Sequence, residues 1–490
     1  MLGHSLAYLL ARGLPGLLSF AALALFTRLL SPTEYGTYAL AMSVAGLLAA
    51  VLFRWLDHAL VRYHGMLPSA GGFPAPGEAR LMRALFAGFL LMWPVAFLAL
   101  GGALWLLPTQ APGLWLAAAG AMLGLALYDL NLQWSVARMQ PAAYGALGFA
   151  RALLTLGLGG AFALLGFGGE GLVWAAALGF LLPSLLLRGR EIWRCLRVRE
   201  SPQAGLPARG LLLSMMRYGA PLALSFALTA VVTQSDRLML GALVGVEATG
   251  RYAAGYDLAF QAMNLVAMVV FLAAWPRVVR AWEAGGEAAA CGVMSAQYLL
   301  LLGGLLPLCA GFALMSAWLA GVMLGEEFRD SAVALMPWAA LAGLLAGFKT
   351  FYFDMAFQLV QRTRGLLGVA ALAAGGNVLL NLWWIPRMGE MGAVLSSVAA
   401  YALALVASLI LGRAHLRMPL PGRGTAFIVL AVLAQLAVLG LWPGERGAMI
   451  PGALAVLGAG SVYLIVLLLF DVGGLRGALA GRWREGRRHG

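Results

Sequence analysis

Long apolar stretches recur from one end of this chain to the other, and each is long enough to cross a lipid bilayer. A hydrocarbon layer of about 30 Å requires about 20 predominantly apolar residues in an α-helix. The chain is 62% hydrophobic and 11% charged. Soluble domains are nearer about 45–50% apolar and about 25% charged. The pattern therefore predicts an all-α polytopic membrane protein, with no polar segment long enough to form a separate soluble domain.

Turn residues such as Ser31-Pro32, Gly168-Gly169 and Pro443-Gly444 separate the apolar stretches and divide the chain into 14 predicted transmembrane helices. The predicted ranges are 5–30, 36–60, 82–107, 113–135, 142–166, 170–188, 214–241, 250–275, 293–320, 331–358, 366–386, 391–412, 425–442 and 449–470.

Arginine is concentrated in alternate connections, which would all lie inside if the N-terminus is inside; Arg151 is assigned to one of these connections. The opposite connections contain only Arg251, Arg329, Arg387 and Arg446. Inside connections are normally enriched in Lys and Arg, so both termini are predicted to be inside. The net charge of +13 is explained by this topology, and nucleic acid is not expected as a partner.

A short internal repeat suggests two copies of a six-helix unit. Gly36-Thr37-Tyr38-Ala39 near the N-terminus is echoed by Gly250-Arg251-Tyr252-Ala253. An even number of spans separates the copies, so the two lobes should run parallel about an axis along the membrane normal. The predicted organisation is an N-terminal lobe, a basic cytoplasmic connection, a C-terminal lobe, two additional helices and a basic cytoplasmic tail, at 1–188, 189–213, 214–412, 413–470 and 471–490 respectively.

Charged side chains within the predicted spans are the main candidates for function, because a charge at membrane depth costs roughly 2.5–3.5 kcal/mol on insertion scales. The cations are Arg12, Arg28, Arg237 and Lys349, and the acids are Asp236, Asp257 and Asp354. Arg28 is close enough to the interface to snorkel. Arg237 and Asp257 could form an ion pair that only fixes packing. Lys349 is predicted near the middle of its helix, with Asp354 pointing about 140° away and so on another face.

These cations would suit an anionic ligand such as a diphosphate, which Arg and Lys stabilise through charge-assisted hydrogen bonds. The acids could pair with the cations in the empty state, or couple transport to protons, sodium ions or the membrane potential. No HExxH, GxSxG or Walker motif occurs, and the three cysteines form no CxxC motif. The sequence therefore predicts no enzyme, no metal site and no cofactor.

Two motifs resemble the polysaccharide transporter family of polysaccharide flippases, in the multidrug/oligosaccharidyl-lipid/polysaccharide (MOP) exporter superfamily. The first is Arg28-Leu29-Leu30-Ser31-Pro32-Thr33-Glu34-Tyr35-Gly36-Thr37-Tyr38. The second is Asp236-Arg237-Leu238-Met239-Leu240-Gly241, followed by Gly250-Arg251-Tyr252-Ala253-Ala254-Gly255-Tyr256. The resemblance extends over the whole length of the chain.

The resemblance implies a flippase that moves an undecaprenyl-diphosphate-linked oligosaccharide between leaflets of the bacterial cytoplasmic membrane. It implies a cation-lined central cavity formed largely by spans 1, 2, 7 and 8, of which Arg12, Arg28, Asp236 and Arg237 occupy spans 1 and 7. The expected partners are the lipid-linked oligosaccharide, membrane lipids, a glycan polymerase and chain-length proteins. The expected products are O-antigen, capsule or exopolysaccharide.

Four alternatives remain open from the sequence. They are a lipid II flippase, a cation-coupled drug antiporter, a membrane glycan polymerase or ligase, and a passive scaffold for glycan assembly. A lipid II flippase should have an arginine-rich start of span 1, and a drug antiporter usually has 12 spans, whereas a polymerase or ligase commonly has a long catalytic loop outside. A scaffold would tolerate the loss of all four intramembrane cations.

Overall fold

The computed structural model describes residues 2–67, 75–105, 112–198, 208–360, 362, 364–441 and 449–471, and within these its account of side chains omits 2–12, 103–105, 112, 208, 220–222 and 449. Every regular element in this part of the chain is helical. The predicted fold class, an all-α polytopic membrane protein, is therefore confirmed.

Sixteen α-helices and one π-helical turn, Lys349–Phe353, make up the described fold. The helices are α1 Leu2–Leu29, α2 Pro32–Leu52, α3 Arg54–His64, α4 Pro76–Trp105, α5 Pro112–Ala137, α6 Pro141–Leu164, α7 Gly168–Arg197, α8 Ala208–Leu243, α9 Val246–Leu314, α10 Ser316–Met323, α11 Glu326–Phe348, α12 Met355–Leu359, α13 Arg364–Met388, α14 Glu390–Arg413, α15 Gly422–Gly440 and α16 Met449–Leu469.

Each predicted span range contains helix, although the elements do not map one to one. By length and composition, 11 helices of the described chain could cross a membrane, or 12 if the bent pair Arg209–Gly219 and Ala223–Leu243 forms one span. The 69-residue α9 contains two helices, because Gly285 and Gly286 have non-helical backbone angles. The count of 14 spans and the inside position of both termini stay predictions.

The predicted second span, 36–60, is wrong in its boundaries. Helix α2 begins at Pro32 and ends at Leu52, and α3 begins separately at Arg54. The start of α2 is fixed by a capping box, in which the Ser31 hydroxyl accepts from the Glu34 amide and the Glu34 carboxylate accepts from the Ser31 amide. Proline at the first helical position reinforces this start, because its missing N–H would have no partner there.

The chain divides into two compact units, Met1–Ala253 with Val378–Glu390, and Ala254–Asn377 with Met391–Gly490. In the first unit, the apolar faces of α2, α3, α4, α5 and α7 form one continuous core that includes Val44, Leu56, Leu85 and Met122. Small residues allow close helix packing where no hydrophobic force acts between helices in lipid.

The two additional C-terminal helices, α15 and α16, pack in the second unit against the later half of α9 and against α10. The Gln435 amide donates to the Pro307 carbonyl at 3.3 Å, and the Tyr463 hydroxyl donates to the Gly303 carbonyl at 2.7 Å. Gly452 of α16 lies directly against the Trp318 indole of α10. These helices are therefore docked onto α9 and α10 by polar groups as well as by apolar contact.

The two glycines of the sequence repeat meet in the first unit. A Cβ atom on Gly36 would overlap the Val246 carbonyl oxygen, and a Cβ atom on Gly250 would overlap the Pro32 carbonyl oxygen. Pro32 and Val246 are the first residues of α2 and α9. The contact is therefore reciprocal, because the glycine in each helix lies against the first residue of the other helix. Only glycine allows backbones to approach this closely.

Candidate functional site

Asp236 is a buried carboxylate held by two neutral donors. Its side chain lies in α8, and the residue is only 4% exposed. The Tyr252 hydroxyl of α9 donates to Oδ2 at 2.8 Å, and the Asn381 amide of α13 donates to Oδ1 at 2.7 Å. Both donors are themselves fully buried or nearly so. The carboxylate thus connects three helices of the first unit.

The sequence pointed to Asp236 through its position in an apolar run, but it did not identify these partners. Asn377 and Asn381 are four residues apart and share one face of α13, a spacing typical of polar groups that help membrane helices pack. The bond from Asn381 to Asp236 joins α13 to α8 in this way. Tyr252 belongs to the repeated Gly-x-Tyr-Ala motif, so the repeat supplied the only sequence signal for it.

Arg237 and Arg28 lie in the first unit, with different degrees of exposure. Arg237 is half-buried and donates to the Gln234 side-chain carbonyl at 3.4 Å. Arg28 is exposed near the end of α1, where it donates to the Ala24 carbonyl at 2.8 Å. The snorkelling of Arg28 to the membrane interface stays a prediction.

Lys349 and Asp354 form an ion pair, so the prediction that they occupy different faces is wrong. The distance from Lys349 Nζ to Asp354 Oδ2 is 2.9 Å. The prediction assumed an ideal α-helix, whereas Lys349–Phe353 is π-helical. A π-turn contains one more residue per hydrogen-bonded turn, and it brings residues five apart onto one face. The Asp354 amide accordingly donates to the Lys349 carbonyl at 2.9 Å.

Asp354 also accepts a hydrogen bond from Ser408 of α14, at 2.7 Å from the hydroxyl to Oδ1. Nearby, Gln297 of α9 donates to the Phe351 carbonyl at 2.8 Å, inside the π-turn. Tyr352 donates to the Pro419 carbonyl at 2.5 Å. Two other helices and a connecting segment therefore hold the π-turn in place within the second unit.

The predicted midway position of Lys349 also needs correction. The 23 residues of α11 precede Lys349, and only the π-turn and the five residues of α12 complete this helical segment. The lysine is therefore nearer to the end of the segment that precedes α13. Its charge is neutralised locally by Asp354, whose side chain is 7% exposed.

The two other predicted site residues, Arg12 and Asp257, lie in α1 and α9. Arg12 lies in α1, but its side chain is outside the described residues. Asp257 is half-buried in α9. The expected pairing of Asp257 with Arg237 joins residues of different units and stays a prediction.

Arg151 is an intramembrane cation that the sequence analysis assigned to a connection. It lies well inside α6, which extends from Pro141 to Leu164. Its guanidinium lies 5.7 Å from the centre of the Tyr128 ring and 5.4 Å from that of Phe180. Such cation–π contacts stabilise a buried arginine. Its depth within the predicted span 142–166 was the signal that could have identified it.

Arg188 is the last residue of the predicted span 170–188, and it is 3% exposed. Its guanidinium donates to Ser135 at 2.7 Å, to Gln140 at 2.8 Å and to Glu191 at 2.6 Å. Arg138 donates to the same Glu191 carboxylate at 3.2 Å. This network connects the ends of α5 and α7, and the three side-chain acceptors of Arg188 favour a structural role.

No group of three or more His, Cys, Asp or Glu side chains that could hold a metal ion occurs in the part of the chain that the structure describes. Asp236 and Asp354 are held by hydrogen bonds or by an ion pair, and Arg188 belongs to a hydrogen-bond network. Ionisable groups at membrane depth often belong to ion or substrate pathways.

Comparison with known proteins identifies the family to which the chain belongs. A protein-family model described as "Polysaccharide biosynthesis protein" matches residues 2–282. The chain therefore belongs to the polysaccharide biosynthesis protein family. A search of curated proteins found no match.

Solved structures show which fold the chain has. A structure titled "Lipid II flippase MurJ, inward closed conformation" has a TM-score of 0.77 at 12% identity and covers 95% of this chain and 98% of that chain. An inward-facing multidrug MATE transporter of the MOP superfamily has a TM-score of 0.55 at 14% identity and covers 83% and 97%. A MOP superfamily transporter from Pyrococcus furiosus has a TM-score of 0.51 at 14% identity and covers 84% and 94%. The fold is that of MOP superfamily flippases and transporters, which are not enzymes.

Proposed function

We propose that the chain is a flippase that moves an undecaprenyl-diphosphate-linked oligosaccharide from the inner to the outer leaflet of the bacterial cytoplasmic membrane. The oligosaccharide would be the repeat unit of an O-antigen, capsule or exopolysaccharide. A glycan polymerase and chain-length proteins would act on the delivered units.

One observation carries this proposal: a polysaccharide biosynthesis family member has the fold of a flippase over nearly its whole length. The flippase match covers 95% of the chain, whereas the multidrug matches cover 83% and 84%. A glycan pathway that assembles repeat units on a lipid inside the cell must then move them across the membrane. A flippase fold in such a family supplies that step.

Transport would occur by alternating access between the predicted lobes, 1–188 and 214–412. The diphosphate would enter near Arg12 and leave past Arg237 and Arg28. The exposure of Arg28 and the half-buried position of Arg237 support their availability to an anion. Guanidinium groups suit this task because their planar donors match phosphate oxygens. The lipid tail would remain in the bilayer.

Lys349 would bind the diphosphate only by exchanging its ion-pair partner Asp354 for a phosphate group. Its ammonium is 2.9 Å from the Asp354 carboxylate, so a phosphate must replace that carboxylate before Lys349 can bind it. Asp354 would then retain the Ser408 hydroxyl as a donor. Asp236, Asp257 and Asp354 would be the resting partners of the cations or the groups that couple transport to an ion.

The test is a reconstituted flipping assay with the full chain in proteoliposomes. The probe is a fluorescent undecaprenyl-diphosphate oligosaccharide, and a membrane-impermeant reagent reports its arrival in the outer leaflet. We expect flipping by the unmodified protein and at least a tenfold lower rate for Arg28→Ala/Arg237→Ala, since each charged hydrogen bond to phosphate contributes about 1.5–3 kcal/mol.

The matched control is Arg387→Ala. Arg387 is an exposed arginine near the end of α13, and it donates only to the carbonyl of Trp383 one turn earlier. This variant should flip the probe at the unmodified rate. Absence of flipping by the unmodified protein would overturn the proposed function, whereas equal rates in all three proteins would overturn only the assignment of Arg28 and Arg237.

A lipid II flippase is the second candidate, because the fold match to a protein of that title is extensive. Both substrates share a polyprenyl diphosphate and differ in the glycan. The same assay with lipid II as the probe distinguishes them. Faster flipping of lipid II than of the oligosaccharide probe would favour the second candidate.

A further inference from the structure

The later half of α9 contains a proline that interrupts its hydrogen bonds. Pro307 lies inside this helix, which continues to Leu314. Proline has no backbone N–H, so the carbonyl four residues earlier, that of Gly303, loses its usual donor. Gly303 and Gly304 weaken the same turn further, because glycine disfavours the helix interior. Residues 303–307 therefore form a point at which α9 can bend.

The carbonyl that Pro307 leaves without a helical donor accepts a hydrogen bond from another helix. The Tyr463 hydroxyl of α16 donates to the Gly303 carbonyl at 2.7 Å, and Tyr463 is 7% exposed. The Gln435 amide of α15 donates to the carbonyl of Pro307 itself at 3.3 Å. A backbone carbonyl in lipid has no water to bond, so it needs a donor within the protein. Tyr463 supplies the donor that the proline removes.

Apolar contacts extend this attachment on both sides of the proline turn. Before the turn, a Cβ atom on Gly424 of α15 would lie only 2.6 Å from the Leu299 side chain of α9. After the turn, Met315 and Leu439 of α15 belong to one buried apolar cluster. Helix α9 therefore cannot change its bend at residues 303–307 without moving against α15 and α16.

The part of α9 before the proline turn also holds the π-turn that contains Lys349. Gln297 is 1% exposed, and its side-chain amide donates to the Phe351 carbonyl at 2.8 Å. Gln297 precedes Gly303 on the same helical stretch of α9. A change in the bend of α9 would therefore move Gln297, and with it the π-turn, relative to α15 and α16.

We propose that residues 303–307 are a hinge in α9, and that α15 and α16 brace it through the Tyr463 hydroxyl. A change of bend alters the distance from this hydroxyl to the Gly303 carbonyl, so α16 determines how readily the hinge moves. The two C-terminal helices would thereby regulate the exchange of Asp354 for phosphate at Lys349, a step that rests on the proposed function.

The brace is tested without substrate by a double-mutant cycle on the full chain in detergent micelles. We expect Tyr463→Phe to lower the apparent melting temperature by about 2–4 °C, because it leaves the Gly303 carbonyl without a donor. In Pro307→Ala the alanine N–H bonds this carbonyl. Addition of Tyr463→Phe to Pro307→Ala should therefore lower the melting temperature by less than about 1 °C.

Ser461→Ala is the matched control, because Ser461 is an exposed hydroxyl residue of the same helix α16. It donates to the Leu457 carbonyl one turn earlier, at 2.8 Å. This variant should melt at the temperature of the unmodified protein. Equal losses of melting temperature from Tyr463→Phe with and without Pro307 would overturn the brace, because the hydroxyl would then not compensate for the proline.

Hydrogen–deuterium exchange of the same proteins measures the flexibility of the hinge, in peptides that cover residues 299–314. We expect exchange there to be at least about twofold faster in Tyr463→Phe than in the unmodified protein. Pro307→Ala/Tyr463→Phe should exchange no faster than Pro307→Ala. Unchanged exchange in Tyr463→Phe would also overturn the brace.

The role of the hinge in transport is measured by flipping of the oligosaccharide probe in proteoliposomes. We expect Pro307→Ala to remain stable but to flip the probe at least about fivefold more slowly, because its continuous helix resists bending. An unmodified rate in Pro307→Ala would reject the regulatory role. If no protein flips the probe, the proposed function fails, while the melting and exchange results still decide the brace.

The connection to Lys349 is tested in the variant Lys349→Met/Asp354→Leu, which lacks the ion pair. If the hinge acts through that pair, adding Pro307→Ala should slow flipping by less than about twofold further. A further slowing as large as that in the unmodified protein would show that the hinge acts independently of Lys349, and would reject this part of the proposal.

Discussion

At the scale of single residues, two buried carboxylates, Asp236 and Asp354, are stabilised by different kinds of partner. Asp236 accepts hydrogen bonds from Tyr252 and Asn381, whereas Asp354 is paired with Lys349 and accepts a hydrogen bond from Ser408. Both arrangements satisfy oxygens of a buried carboxylate. Removal of one partner from a buried ion pair costs about 3–5 kcal/mol.

Removal of one member of the Lys349–Asp354 pair should be more harmful than removal of both. We expect Lys349→Met to lower the free energy of unfolding by roughly 3–5 kcal/mol, because it leaves the Asp354 carboxylate buried without its cation. Lys349→Met/Asp354→Leu should lose less than this. The measurement is denaturant unfolding of the full chain in detergent micelles.

The flipping assay on the same proteins separates structure from substrate binding. If Lys349 only balances Asp354, the double variant should flip the probe almost normally. If Lys349 exchanges Asp354 for phosphate, the double variant should be stable but slow. Equal destabilisation by the single and double variants would show that the pair does not form.

The sequence could identify the buried charges but not their partners. Asp236, Lys349 and Asp354 stood out because charges are rare in apolar spans. Asn381 is 145 residues from Asp236 in sequence, and a single sequence contains no record of which distant helices touch. Arg151 was missed for another reason: it was assigned to an inside connection although the predicted span 142–166 already contains it.

At the scale of whole helices, the most informative departure from expectation is the π-turn at Lys349–Phe353. Apolar periodicity predicts a helix of average geometry and cannot detect one extra residue in a single turn. That extra residue changes which side chains share a face, and so the angle of about 140° expected between Lys349 and Asp354 did not apply. The break after Leu52 was missed similarly, because apolar residues continue across it into α3.

The repeat, in contrast, was visible in the sequence as two glycine motifs, and the structure brings those glycines together. A substitution at either should prevent the close approach of α2 and α9. We expect Gly36→Ala or Gly250→Ala to destabilise the protein by about 1–3 kcal/mol, because the new methyl group meets backbone atoms that cannot rotate away. Apparent melting temperature in detergent measures the effect.

Gly157→Ala is the matched control for this pair. Gly157 is also a helical glycine, but a Cβ atom there would have no neighbour within 4 Å. The substitution should be neutral or stabilising by up to about 1 kcal/mol, since alanine favours helix over glycine. A melting temperature for Gly36→Ala equal to that of Gly157→Ala would contradict the close contact.

At the scale of the whole molecule, composition and apolar length were sufficient to predict an all-helical membrane protein, and two short motifs were sufficient to predict its family. The fold follows from a physical constraint: backbone polar groups in lipid must be satisfied within the segment, which leaves helices as the natural solution for long apolar runs. The transported glycan leaves no comparable pattern, because substrate chemistry is determined by a few side chains at unpredictable positions.

The predicted inside position of both termini can be checked with a natural cysteine. Cys291 is exposed and precedes the predicted span 293–320 on the inside, whereas Cys195 is buried. We expect a membrane-impermeant maleimide to label the protein in inverted vesicles but not in intact cells, and Cys291→Ser to abolish this labelling. Labelling of Cys291 in intact cells would reverse the predicted orientation.

The reciprocal contact of Gly36 and Gly250 has a consequence for genetics. The steric overlap caused by a larger side chain is often relieved by a second substitution to a smaller residue at the position that it contacts. Here the contacted atoms are backbone carbonyl oxygens, and the opposing residue of the pair is already glycine, the smallest residue. A selection for suppressors of Gly36→Ala should therefore return reversion or changes elsewhere in the chain, and no suppressor at residue 250.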